Sequence, residues 1–334
     1  MHSGKKFGAL EFAIWTRRSI YILTILSAIP TVLYFLGWKF ISIPWQPIAI
    51  MGTAVAFIVG FKNNASYARL WEARQIYGAI INESRSFGYI LRDSLSEKNA
   101  DKVKEMFLRH YAWLTALRFQ LRESRAWENM DTAQFDEYSK KYEIPERLSK
   151  LEDELKKYLP ASELQYVLSK KNRATQLTAI QSKALSEAYA KGEINDFQWT
   201  QINQQLVKFT DNQGKAERIK NFPYPRNFSS IATYLLLIFI ISVPFGLIKE
   251  LDKLGDGTML EGYTLWFNIP FSLLVTWCFH TLDTVGESSM NPFEGSPNDV
   301  PITQISRTIE IDMRDMLDEP DLPPAVVPKN NIVL

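Results

Sequence analysis

The 334-residue chain is predicted to be an all-α membrane protein, with four membrane-crossing helices per subunit and a large helical region in the cytoplasm. Three observations predict this class. Four uncharged runs each approach the roughly 20 apolar residues needed to cross a hydrocarbon core about 30 Å thick. The long polar block between the second and third runs repeats its apolar residues at helical spacing, with no alternating pattern that would suggest a sheet. Lysine and arginine gather on one side of the runs, as topology in a bilayer demands.

The N-terminal segment MHSGKKFGALEFAIWTRR reaches its first apolar run late, and no small-residue cleavage site follows, so it reads as a retained segment. The four runs are Ser19 to Trp38, Ile41 to Phe61, Phe228 to Ile248 and Tyr263 to Leu282. Four such runs rarely share one soluble domain. Lys5, Lys6, Arg17 and Arg18 precede the first run, and Lys62, Arg69, Arg74, Arg85 and Arg92 follow the second. The first connector carries only Lys39, and the loop KELDKLGDGTMLEG after the third run is net acidic. This asymmetry places both termini and the polar block in the cytoplasm of a multi-pass protein of the inner (plasma) membrane. The expected divisions are 1–61 for the first two spans, 62–227 for the cytoplasmic helices, 228–285 for the last two spans, and 286–334 for a cytoplasmic segment with a mobile tail. Within the polar block, IPERLSKLEDELKKYL reads as one amphipathic helix. The stretch from Gln176 to Gly214 reads as two helices broken near Gly192. The tail EPDLPPAVVPKNN is proline-rich and expected to be extended or mobile.

Composition narrows the function. A net charge of +1 argues against a nucleic-acid binder, which would ordinarily be strongly basic. The single cysteine, Cys278, excludes an intramolecular disulfide and a multi-cysteine metal site. His2, His110 and His280 are scattered, and no glycine-rich phosphate loop, Walker pattern or HExxH is present. Glu152 and Glu154 have lysine neighbours and read as a solvated helix face. The polar residues noted inside the runs are Thr24, Ser27, Thr31, Thr53, Ser242, Thr276 and His280, and hydroxyls there commonly bond helix carbonyls. No enzyme, cofactor or metal is expected.

The stretch FIVGFKNNASYARLWEAR, Phe57 to Arg74, carries an apolar helix straight into charged sequence with no turn between. Thr53, Phe57 and Phe61 recur every four residues and so share one face. Around an axis of several copies, that face would stack rings of phenylalanine, a constriction able to gate by dewetting. Aromatic ring edges carry partial positive charge and could favour an anion. On periodicity alone an ordinary helix-packing face is the favoured reading, because aromatic stripes are usually core.

The segment from Gly60 to Phe87 closely resembles the signature of the bestrophin family in its bacterial branch. The matching residues are Gly60-Phe61, Asn63-Asn64, Tyr67, Arg69, Trp71-Glu72-Ala73-Arg74, Tyr77-Gly78, and Asn82 with Arg85. WTRRSIY (Trp15 to Tyr21), AERIKNFPYP ending at Pro225, and MNPFEGSPND with its Asn291-Pro292-Phe293 turn are similar to further family segments, in family order. The resemblance implies a homopentameric ion channel in the lipid bilayer. Its neck would be lined by Thr53, Phe57 and Phe61. A cytosolic aperture would lie just after GEIND, at Phe197 or Gln198. Two departures stand out. The animal members follow Asn-Pro-Phe with a run of acids that clasps calcium, whereas here only Glu294 and Asp299 are available, too few for six to eight oxygens. The outer neck position is Thr53 where a bulky aliphatic is usual. By resemblance the permeant ions are small anions such as chloride; a monovalent cation such as sodium is the alternative within the same fold. A non-conducting membrane scaffold is the alternative of a different class.

Overall fold

The computed structural model describes residues 1–4, 8–95, 99–128 and 142–334. Lys5 and Lys6 of the charge count lie outside the described residues. The described chain is helical, and its only strand-like pairings are isolated bridges of Ile332 with His2 and Lys329. In order the helices are α1 (Ala9–Phe35), α2 (Trp45–Leu95), α3 (Ala100–Arg122), α4 (Pro145–Leu148), α5 (Leu151–Leu155), α6 (Ala161–Leu168), α7 (Arg173–Ala190), α8 (Asp196–Asn221), α9 (Arg226–Lys253), α10 (Asn268–Ser288) and α11 (Ile302–Asp315). The chain divides into two compact units. One comprises Gly4–Ala68 with Pro223–Met290; the other comprises Met1–Ser3, Arg69–Phe222 and Asn291–Leu334.

The first unit contains all four runs read as membrane spans. Each forms a helix long and apolar enough to cross a bilayer, within Leu10–Phe35, Lys39–Leu95, Arg226–Lys253 and Thr264–Ser288. Leu23, Ile48, Val55, Val59, Leu236, Phe239, Ile240 and Val243 pack together at its centre. Ile22, Ile25, Ile29, Leu237, Ile238, Phe271 and Leu274 face outward, the inverse of what water tolerates and what lipid requires. Small residues let the backbones approach. A Cβ on Gly52 would come within 2.8 Å of the Phe239 ring, and one on Gly246 within 2.3 Å of Ile48 Cδ1. Thr24, Ser27, Thr31, Thr53, Ser242 and Thr276 each donate to the carbonyl four residues earlier, which satisfies the hydroxyl inside apolar surroundings.

The second unit buries a continuous core that includes Tyr77, Ile80, Phe87 and Leu91 of α2, Phe107, Trp113 and Leu117 of α3, Leu177 and Leu185 of α7, Phe209 of α8, and Ile309 and Met313 of α11. The break near Gly192 falls where expected. Gly192 takes φ +72, and Glu193 N–H donates to Ala188 while Gly192 N–H donates to Tyr189, closing α7 in a left-handed cap.

One expectation changes. The stretch from Ile144 to Leu159 is two short helices, not one. Ser149 is extended and its hydroxyl donates back to the Pro145 carbonyl, ending α4. The cause is a conflict of anchors. Glu146 is drawn into a buried ion cluster by Arg118, Arg122 and Thr303, while Leu155 is fully buried in the core. The break leaves Leu148 exposed although its spacing from Leu151 and Leu155 would put it on their face. The proline-rich tail runs without helix from Glu319 to Pro328, as its composition suggests. Its end is pinned: Ile332, Val333 and Leu334 are buried, and Leu334 O accepts from Gln304 N at 2.7 Å.

Candidate functional site: a phenylalanine stripe on α2

Helix α2 is 51 residues long, roughly 75 Å at 1.5 Å per residue. Val55 and Val59 are buried in the first unit's core, whereas Phe57 is 61% and Phe61 69% exposed. Thr53, Ala54, Ala56 and Gly60 share the outward side. The two phenylalanines are therefore not buried against the rest of this chain. A groove of about 660 Å³ runs beside them, lined by residues that include Trp45, Ala49, Gly52, Ala56, Phe239 and Phe279 as well as Thr53 and Phe57. Its mostly apolar walls suit another helix better than water.

The end of the stripe is clamped. Lys62, 2% exposed, donates to Asp283 Oδ1 at 2.8 Å and to Glu287 Oε1 at 3.1 Å on α10. Asn63 Nδ2 donates to the Leu282 carbonyl at 2.9 Å. Gly286 is required there, since a Cβ would stand 1.9 Å from Asn63 Oδ1. At the start of α10, Asn268, fully buried, donates to Thr31 Oγ1 at 2.9 Å and the Pro244 carbonyl at 3.1 Å, and accepts from Ser272. His280 meets Ser19 Oγ at 2.9 Å. Sequence reading missed Asn268, Ser272 and the Lys62–Asp283 pair. The pair carried a signal: the second and fourth runs end at Phe61 and Leu282, and each is followed at once by a charge of opposite sign.

The two aperture candidates differ sharply. Asn195 Oδ1 accepts from Gln198 N, and Gln198 Oε1 accepts from Asn195 N, both at 3.0 Å. This reciprocal capping box commits Gln198 to starting α8. Phe197 has no such duty and is 87% exposed. The Asn-x-x-Gln spacing was readable in the sequence.

The signature residues fall into two groups. Arg69 Nη2 donates to the carbonyls of Ile219 and Phe222, closing the end of α8. Glu72 pairs with Arg218, and Arg85 with Asp312 at 2.7 Å. Pro225 is the residue before α9. Asn291 and Pro292 are buried, and Phe293, fully buried at φ +73, has its N–H held by Asp299. Gly60, Asn64, Trp71, Arg74 and Asn82 stay exposed. Asp299 uses both carboxylate oxygens on the N–H groups of Phe293, Gly295 and Val300 and on Arg122.

These features define a helical integral membrane protein whose second span exposes an aromatic stripe. Residues 10–315 match the family model described as Bacterial/Fungal Bestrophin protein. The chain belongs to that bestrophin family, as its signature segments suggested. It is 27% identical over 307 residues to the voltage-dependent anion channel-forming protein YneE of Escherichia coli K12, covering 91% of this chain and 88% of that one. It is 25% identical to the similarly named RSc3414 of Ralstonia nicotianae, covering 84% and 80%. The fold is similar to that of a bacterial bestrophin homologue from Klebsiella pneumoniae, with a TM-score of 0.75 at 20% identity, over 90% of this chain and 97% of that one.

Proposed function

We propose that the chain is the subunit of a homopentameric channel that passively conducts monovalent anions, chloride among them, across the inner membrane. Both termini and the polar helical block lie in the cytoplasm. Thr53, Phe57 and Phe61 from each copy line the neck, and Phe197 rings a second constriction. The observation that carries this reading is the outward stripe of Phe57 and Phe61 on a helix whose Val55 and Val59 are buried. The groove beside the stripe supplies a seat for a neighbouring copy. Stacked benzyl rings make a narrow apolar passage that resists water and ions until it widens, and ring edges turned inward present positive charge to an anion. The names of the curated relatives support anions over sodium. No reaction is assigned: the neck has no nucleophile and base within reach of one another.

Reconstituted liposomes test it. Phe57→Ala with Phe61→Ala should raise chloride flux about tenfold, equivalent to taking ~1.4 kcal/mol off the barrier. Unchanged flux would favour the scaffold. A reversal potential in asymmetric NaCl that moves toward the sodium equilibrium value would overturn the anion assignment.

A further inference from the structure

Helix α2 carries its polar contacts unevenly. Among the described residues from 45 to 61, its one side-chain hydrogen bond is internal, from Thr53 to the Ala49 carbonyl. The contacts of this stretch with its neighbours are apolar. Val55 and Val59 share a core with Phe239 and Ile240, and Gly52 lies against the Phe239 ring. Apolar attraction is non-directional. It holds the helix in place but fixes its rotation less sharply than hydrogen bonds, which weaken steeply as they bend.

The directional contacts start at Lys62 and Asn63, immediately after Phe61. Val55, Val59, Lys62 and Ser66 are buried in one helical stripe, so Lys62 stands where an apolar residue would ordinarily continue it. A buried ammonium is costly to desolvate, and a well-packed apolar side chain there would serve stability as well or better. Lys62 instead reaches Asp283 and Glu287, one helical turn apart on α10, and Asn63 Nδ2 reaches Leu282 O. Helix α10 is itself anchored: Asn268 ties its start to Thr31 and Pro244, and His280 meets Ser19. A charge kept where stability does not require it suits a role in setting register.

Register is what a ring of phenylalanines needs. A slip of one residue against α10 would carry Phe57 and Phe61 about 100° round the helix, off the face they now occupy. We propose that Lys62 and Asn63 are positioning residues for ion passage: held by Asp283, Glu287 and the Leu282 carbonyl, they fix the rotation of α2 that turns Phe57 and Phe61 toward the pore axis. This rests on the reading of those phenylalanines as the neck. Released from α10, the helix turns more freely and the rings spend less time across the path.

Chloride efflux from liposomes containing the full-length protein tests this, with each variant made in the parent and in a Phe57→Ala, Phe61→Ala background. Asn63→Ala should leave the melting temperature unchanged yet raise efflux about threefold, the rate equivalent of one hydrogen bond of modest net worth. Lys62→Met with Asp283→Leu replaces the ion pair by an apolar pair that should fold comparably. It should raise efflux about tenfold, to the level of the channel without neck phenylalanines. In the background lacking the phenylalanines neither change should alter efflux, because the rings through which the clamp acts are gone. Unchanged efflux in both parent variants, or a rise as large without the phenylalanines as with them, would overturn the positioning role and leave the neck reading standing. If removing the phenylalanines alone leaves efflux unchanged, the neck reading falls and this proposal with it.

Discussion

Replacing Gly286 by alanine would drive a methyl group into Asn63. The added Cβ would stand 1.9 Å from Asn63 Oδ1 and 2.9 Å from Cγ, well inside any tolerable contact. Asn63 must then swing away and give up its 2.9 Å hydrogen bond to Leu282 O. Overpacking of this kind costs about 1–3 kcal/mol, and the lost hydrogen bond about 1 kcal/mol. Alanine returns about 1 kcal/mol of helix propensity over glycine. The net is a destabilisation of about 2 kcal/mol, or a fall in melting temperature of roughly 3–6 °C for a chain of this size. Asn63→Ala alone should be near neutral, because it removes both the hydrogen bond and a buried oxygen that lacks a hydrogen-bond partner. The double variant should recover most of the loss, since no side chain remains to collide. Thermal unfolding in detergent, followed by tryptophan fluorescence across this cycle, reads the coupling directly. If Gly286→Ala costs as much in the Asn63→Ala background as in the parent, the steric account is wrong.

Three further outcomes can be checked. Lys62→Met strands the buried Asp283 carboxylate, so it should lose about 3–5 kcal/mol in denaturant titration, with partial recovery on adding Asp283→Asn; a loss below 1 kcal/mol would show the pair to be water-screened. His110 is fully enclosed against Phe87, Trp113 and Phe209, and its Nε2 donates to Ser84 Oγ, which itself donates to Ile80 O. Burial pulls its pKa from 6.5 to about 3, so the folded state favours the neutral ring. That stability is present above pH 6.5 and falls by up to ~1.4 kcal/mol per pH unit as pH drops from there toward 3; melting curves from pH 7 to 4 should flatten in His110→Gln. Finally, Gln198→Ala should cost about 1 kcal/mol by opening the capping box with little effect on conductance, whereas Phe197→Ala should leave stability alone and change conductance; the reverse pattern in paired melting and bilayer recordings would assign the aperture to Gln198.

The membrane architecture was legible because it rests on composition: uncharged runs of spanning length need no knowledge of their neighbours. The phenylalanine stripe was legible as a face, but whether that face was packed or exposed depended on where Val55 and Val59 went, which no spacing states. Glu146 shows the opposite limit. Its local sequence favours a helix through Leu159, and only arginines some 25 residues upstream and a threonine at 303 turn it inward and break that helix. Arg69 belongs to the same kind: a charged residue in a signature, whose duty at the end of α8 is set by chain folded from 150 positions away. The capping box at Asn195 and the opposed charges after Phe61 and Leu282 were written in the sequence and needed only to be paired.

The start of α8 separates two obligations that most helix ends combine. Asn195 and Gln198 hold the first turn, and Phe197, one of the two positions between them, takes no part in the cap. A single codon change at 197 can therefore swap a benzyl group for a methyl, a hydroxyl or a charge without opening the cap, so the side chain presented at this exposed turn can be adjusted by selection or by an engineer one substitution at a time.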